Sequence, residues 1–299
     1  MIQDIAPMKL DNVYKKKIPH AGSRMLGFGD RTVFLEYNGE VQFLTYEQWK
    51  DYNETVLGRE VPPCVYLFSV GEEEYFLTDI GEDTKIGEFC FYKMFDVRAM
   101  QPKECVLVAV TAWHLYVWYR DNQFCGRCGE RLVHSDVQRM MQCPCCKNMV
   151  FPKIAPAVIV GVTHGDKILM TKYAGREYKR YALIAGFTEI GETAEETVKR
   201  EVMEEVGLNV KNIRYYKSQP WGFDSNLLLG YFCELADERE IRLDEEELSV
   251  AEWVDYHDIP EDKEKLSLTH EMMTYFGKKK SEGTWDSAFA GLSGTQKNG

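Results

Sequence analysis

Three glutamates, Glu201, Glu204 and Glu205, stand three and four residues apart in TAEETVKREVMEEVG. On an α-helix that spacing puts them on one face. Like charges side by side destabilise an isolated helix, and a hard cation with oxygen ligands relieves the repulsion. Mg²⁺ and Mn²⁺ are such ions, and Mg²⁺ characteristically bridges carboxylates and phosphates. A solvated acidic face is the plain alternative, because Glu is a good helix former. The second group with chemistry is sulfur. Cys125-Gly-Arg-Cys128 and Cys143-Pro-Cys-Cys146 are two C-x-x-C knuckles at the separation of a four-thiolate zinc site. Four thiolates close the coordination sphere, which makes the expected Zn²⁺ structural. Cys145 is a fifth sulfur that competes for the fourth position. A redox pair is the competing use of one knuckle, and two knuckles favour metal.

These groups need elements to hold them. The helix is framed by Thr193 and Glu196, at capping-box spacing, and by Gly207 at its C-terminal end. A strand, YALIAGF, runs into the glycine loop that precedes it. AVIVGVTHGDKILMTKY reads as a hairpin turning at Gly165-Asp166. NVKNIRYYKSQ, NLLLGYFCEL and AEWVDY read as strands, and LSLTHEMMTYF as a closing helix. Upstream, TVFLEYNGEVQFLTY and CVYLFSVGEEEYFLTDI are hairpins around Asn38-Gly39 and Gly71. A helix is expected to start with Pro102 in its first position and to run through Val106, Val110, Trp113 and Val117. This N-terminal region shows no chemical constellation, so its expected role is structural or in dimerisation. The expected domains are 1–121, β-rich with a closing helix; 122–152, a zinc ribbon; 153–277, a catalytic domain; and 278–299, a polar, disordered tail. Fold class is α+β. Cys64, Cys90, Cys105 and Cys233 are expected to be small core residues.

Composition narrows the classes. A formal net charge of -12 argues against a broad surface for long nucleic acid. Small phosphate ligands remain open, because a bridging cation reverses the local field. The ribbon carries Arg127, Arg131, Arg139 and Lys147 with little aromatic interleaving, so a structural clip between domains is favoured over nucleic-acid binding. No run reaches the roughly 18 apolar residues of a membrane span, and the first residues lack the apolar core of a secretory leader. A cytoplasmic location is the expectation.

Gly186, Glu192, Arg200, Glu201, Glu204, Glu205 and Gly207, with Val202 and Leu208 as aliphatic positions, match the Nudix box G-x5-E-x7-R-E-U-x-E-E-x-G-U without departure. This part of the chain resembles a Nudix hydrolase. The ribbon upstream and SQPWGFDSN downstream resemble the NADH pyrophosphatase family, whose marker is S-Q-P-W-P-F-P-x-S. Ser218, Gln219, Pro220, Trp221 and Phe223 are kept. Gly222, Asp224 and Asn226 depart, and loss of two prolines predicts a more flexible loop.

The resemblance implies an α/β/α sandwich around a mixed sheet, with metal-dependent attack of water on the diphosphate of NADH or NAD. Nicotinamide mononucleotide and AMP are the implied products, and NAD-capped RNA is a further implied substrate. It implies that Glu201, Glu204, Glu205 and Glu247 hold Mg²⁺ or Mn²⁺, with Glu205 assisting deprotonation of water. Arg200 and Glu192 would orient loop and helix. Phe151 and Phe187 would stack on a base, Ala185 would offer a carbonyl, and Gln219 and Ser218 would lie near the pocket. The plainer alternatives are that Trp221 and Phe223 are core residues and that Phe151 merely packs the ribbon. A homodimer is implied. The alternatives are another nucleoside diphosphate substrate, such as ADP-ribose or a dinucleoside polyphosphate, and a non-catalytic nucleotide sensor. The intact glutamates argue against the sensor. His134, His164, His257 and His270 show no ligand spacing.

Overall fold

The computed structural model describes residues 1–175, 180–261 and 264–288. These residues form two compact units. One contains Ile2–Ile154 together with Trp221–Ser225, and the other Ala155–Pro220 with the residues from Asn226 onward.

In the first unit, β1 (Leu10–Asp11), β2 (Arg24–Leu26), β3 (Thr32–Tyr37), β4 (Val41–Gln42) and β5 (Leu44–Thr45) lead into α1 (Tyr46–Asp51). β6 (Val65–Val70), β7 (Glu73–Leu77) and β8 (Cys90–Lys93) follow, then α2 (Met94–Val97) and α3 (Lys103–Asp121). The sheets run β1-β6-β7-β2-β5 and β4-β3-β8. Both expected hairpins form: β3 pairs β4 across Asn38-Gly39, and β6 pairs β7 across Gly71. Aromatic and aliphatic side chains fill the core, with Phe34, Trp49 and Phe76 fully buried. Pro102 caps α3 rather than opening it, since its ψ of 163° is extended and Lys103 is the first helical residue. Cys90 departs from the expected core set. It is exposed, while Cys64 and Cys105 are half-buried and Cys233 is buried. The ribbon strands β9 (Val133–His134), β10 (Met141–Gln142) and β11 (Met149–Val150) complete this unit.

The second unit is a mixed six-stranded sheet. Its strands are β12 (Ala155–His164), β13 (Lys167–Tyr173), β14 (Ile184–Phe187), β15 (Val210–Trp221), β16 (Asn226–Leu235) and β17 (Leu248–Asp255). The order is β15-β16-β12-β13-β17, with β14 paired to β12. β12 and β16 are parallel, Ala155 to Asn226 through Thr163 to Glu234. A central parallel pair needs cover on both faces, and β12 is correspondingly apolar and buried from Ala157 to Val162. Val158, Val160 and Val162 pack with Val198, Val202 and Val206 of α4 (Ala194–Val206). The opposite face meets α5 (Leu268–Ser281), where Leu268 and Met272 crowd Gly230. These are the helix, sheet and helix layers of the expected sandwich. The expected tail begins too early in the sequence reading. α5 continues through Ser281 and α6 (Trp285–Ala288) follows. The remaining part of the expected tail, 289–299, lies outside the described residues. Among the described residues, no helix is long and apolar enough to cross a membrane.

Candidate active site

The glycine loop joins β14 to α4. Thr193 caps the helix: its hydroxyl accepts from Glu196 N–H at 3.2 Å, and Glu196 Oε2 accepts from Thr193 N–H at 2.8 Å. This is the reciprocal box its spacing predicted. At the other end Gly207 adopts φ 69°, a left-handed turn that favours glycine.

Arg200 ties loop to helix. Its Nε donates to Glu192 Oε1 at 2.7 Å, and its Nη2 donates to Glu192 Oε2 at 3.0 Å and to the Phe187 carbonyl at 2.8 Å. Its Nη1 donates to Glu201 Oε1 at 2.7 Å and Glu204 Oε2 at 2.9 Å. One guanidinium thereby serves three carboxylates. The Glu192 carboxyl is held down at about 2, chiefly by Arg200 and further by the Glu189 N–H.

The three helix glutamates differ sharply in environment. Glu201 is 8% exposed and Glu205 3%, whereas the Glu204 side chain is 59% exposed. Burial pushes the Glu201 carboxyl up, and Arg200 opposes the shift. Gly186 makes room for Glu201: a Cβ on it would fall 1.8 Å from the Glu201 carboxyl carbon. The loop glycine is thus half of a cradle whose other half is a buried carboxylate. The negative charges of Glu204 and Glu247 add to the upward push on Glu201. The Glu247 backbone carbonyl accepts from Ala174 N–H at 2.9 Å, anchoring the turn before β17. Oxygen-only donors around a buried carboxylate fit a hard divalent cation better than a soft one.

The remaining sequence-derived residues divide. Ala185 sits on β14 opposite Ile159, and Phe187 opposite Ala157. Phe187 is 54% exposed. Phe151 follows the ribbon in the other unit and is 51% exposed, so it is not a packed ribbon residue. Ser218 is half-buried on β15. Gln219 is fully buried, its Nε2 donating to the Leu266 carbonyl at 2.8 Å and its Oε1 accepting from Leu268 N–H at 2.6 Å. Its amide anchors the start of α5.

The SQPW segment is also packed rather than loose. Trp221 and Phe223 are each 9% exposed, in contact with each other, with the Arg98 guanidinium 5.0 Å and 5.5 Å from their ring centroids. Gly222 lies so close to α3 that an added Cβ would fall 2.5 Å from the Val110 carbonyl oxygen. Packing supplies the constraint that the missing prolines would have given. Arg98 carries no motif, and nothing in its local sequence marks it.

The sulfur centre is separate. Ligand atoms of Cys125, Cys128, Cys143 and Cys146 lie within 4.8 Å of one another. Cys145 is exposed and outside the set, which resolves the competition for the fourth position. The Arg127 N–H draws the Cys125 thiol down to about 6, and the Cys146 N–H lowers Cys143. Amides aimed at sulfur favour thiolates, the form that binds zinc.

The match to known proteins follows the same division. Residues 153–275 match the NUDIX domain, and residues 120–151 match the NADH pyrophosphatase zinc ribbon domain. Residues 153–275 are therefore similar to the Nudix hydrolases. The ribbon is similar to the zinc ribbon of the NADH pyrophosphatases, and its four cysteines fit structural zinc. It is 41% identical over 144 residues to the "NAD-capped RNA hydrolase NudC" of Pectobacterium carotovorum, over 48% of this chain and 55% of that protein. The protein of the same name from Klebsiella pneumoniae is 41% identical over 143 residues, with the same coverage. The chain thus spans about half the length of the curated relatives it matches. A Nudix hydrolase crystal structure from Nitrosomonas europaea is 22% identical, with a TM-score of 0.47, covering 54% of this chain and 93% of that one.

Proposed function

We propose that this protein hydrolyses the diphosphate bond of NADH or NAD, giving nicotinamide mononucleotide and AMP, and acts on the same bond in NAD-capped RNA. The observation that carries the reading is the Gly186–Glu201 cradle joined by Arg200 to Glu192 and Glu204, on a chain whose ribbon is similar to that of the NADH pyrophosphatases. Glu201, Glu204, Glu205 and Glu247 would hold Mg²⁺ or Mn²⁺, with the Ala185 carbonyl nearby. A divalent cation there neutralises diphosphate charge and lowers the pKa of the attacking water. Glu205 takes the water's proton. Its burial excludes bulk solvent, which strengthens that interaction. Arg200 holds loop and helix in register and is occupied by carboxylates rather than by substrate. Phe187 and Phe151 present faces on which a base could stack. Ser218 is kept as a residue near the substrate. We also propose a homodimer, a cytoplasmic location, and domain limits of 1–121, 122–152 and 153–277.

A second reading is hydrolysis of ADP-ribose or another nucleoside diphosphate derivative. Gly222, Asp224 and Asn226, which depart from the family marker, favour keeping it. Mass-spectrometric product analysis separates the two. NADH, NAD, ADP-ribose and a short NAD-capped RNA are supplied in parallel with Mg²⁺ or Mn²⁺. Faster release of nicotinamide mononucleotide than turnover of ADP-ribose is expected. The reverse order would replace the substrate, and no cleavage of any of them would reject the enzymatic reading.

A further inference from the structure

Outside the catalytic cradle, a set of specific polar contacts joins the zinc ribbon to the N-terminal segment. The hairpin between β9 and β10 supplies one side. Tyr14 donates its hydroxyl to the Ser135 carbonyl at 3.1 Å. The His134 ring packs against Tyr14 and Tyr119, with centroids at 5.2 Å and 5.6 Å and interplanar angles of 29° in both pairs. His134 Nδ1 donates to the Ser135 carbonyl at 2.6 Å, so Nε2 is left to accept from the Tyr119 hydroxyl at 2.9 Å. Arg139 donates from Nη1 to Asn12 Oδ1 at 2.6 Å and from Nη2 to the Leu67 carbonyl. That carbonyl belongs to a bulge in β6, where the pairing with β7 slips between Tyr66 and Phe68. A ladder irregularity exposes a backbone acceptor, and the ribbon's arginine fills it.

The basic run Lys15-Lys16-Lys17 is divided among three carboxylates. Lys15 pairs with Asp11, Lys16 with Asp136 of the ribbon at 2.6 Å, and Lys17 with Glu74. The Lys16 pair is exposed and contributes little by itself. The Tyr14 and His134 hydrogen bonds and the Arg139 bond to the Leu67 carbonyl are part-buried and less screened by solvent.

The ribbon cannot keep this hairpin in place by hydrophobic packing. Its buried cluster is Cys125, Leu132 and Cys143, with Met141, Cys146 and Val150 partly buried against it. So small a core does not support a fold without a metal. β10 ends at Gln142, directly before the ligand Cys143. The hairpin that grips the N-terminal segment is therefore ordered by the four-thiolate site.

We propose that zinc occupancy acts as a latch on the N-terminal segment Asn12–Lys17: with zinc bound the segment is held by Arg139 at Asn12, by His134 and Ser135 at Tyr14 and by Asp136 at Lys16, and on zinc loss it is released. Metal loss is thereby reported at this segment. The proposal rests on the ribbon's zinc and not on the identity of the substrate.

Limited trypsinolysis of the full-length protein, with fragments identified by mass spectrometry, tests it. Lys15, Lys16 and Lys17 are cleavage sites within the segment, and Lys199 on α4 is a reference site. Removal of zinc by a chelator is expected to accelerate cleavage at Lys15–Lys17 by about ten-fold or more relative to Lys199. Added Zn²⁺ is expected to restore protection. The double variant Tyr14→Phe, Arg139→Met, zinc content measured in parallel, is expected to keep its zinc and still be cleaved fast. Equal cleavage with and without zinc would overturn the latch. So would parallel acceleration at Lys199, which marks general unfolding, or wild-type protection in the zinc-loaded double variant.

Discussion

At the scale of single residues, the candidate site is defined by unequal neighbours. Glu201, Glu204 and Glu205 are equivalent by spacing, yet two are buried and one is largely exposed. Glu205→Gln keeps size while removing charge and the basic oxygen. Turnover of the preferred substrate is expected to fall by about 10² or more, the scale of general-base loss, with the circular dichroism spectrum unchanged. Near wild-type turnover would remove Glu205 from its assigned role. Gly186→Ala places a methyl on the Glu201 carboxylate. Loss of activity and a lowered Tm are expected together, because the helix or the strand must shift to relieve the overlap.

Glu192 gives a pH prediction. Its folded pKa of about 2 is below its ordinary 4.5, so the folded state holds the charged form more tightly than the unfolded chain does. That contribution is complete above 4.5 and fades as pH falls through about 2. The Tm gap between wild type and Glu192→Gln is therefore expected to be largest near neutrality and to shrink in acid. A gap that widens on acidification would contradict the Arg200 pairing.

At the scale of elements, α4 is set by its ends. Thr193→Ala removes the hydroxyl that accepts from Glu196 N–H. A loss of about 1 kcal/mol is expected in denaturant titration. Both ends were legible in the sequence, because a capping box and a C-terminal glycine are local signals. The strands β12 to β17 were legible for the same reason, from apolar runs broken by turn residues. The start of α3 was read one position early. Pro102 suits either the cap or the first turn, and only the backbone decides. The tail was misread because a run of lysines and small polar residues looks solvated. In the fold, Met272, Met273 and Phe276 bury one face of α5, and Lys279 and Lys280 are partly covered and paired with Glu282 and Asp166.

At the scale of the whole molecule, the sequence by itself determined the class of chemistry. The Nudix box and the paired knuckles are short-range patterns in which residue type and spacing specify what can bind, so they survive without coordinates. Tertiary structure decided what each residue does within that chemistry. Gln219 lies in a family marker but spends its amide on the backbone of Leu266 and Leu268, far along the chain. Trp221 and Phe223 are anchored by Arg98, more than a hundred residues earlier. His134, without ligand spacing in the sequence, is clasped by Tyr14 and Tyr119. Periodicity and spacing describe neighbours within a few turns. Burial, charge pairing and close approach depend on partners that only the folded chain brings together.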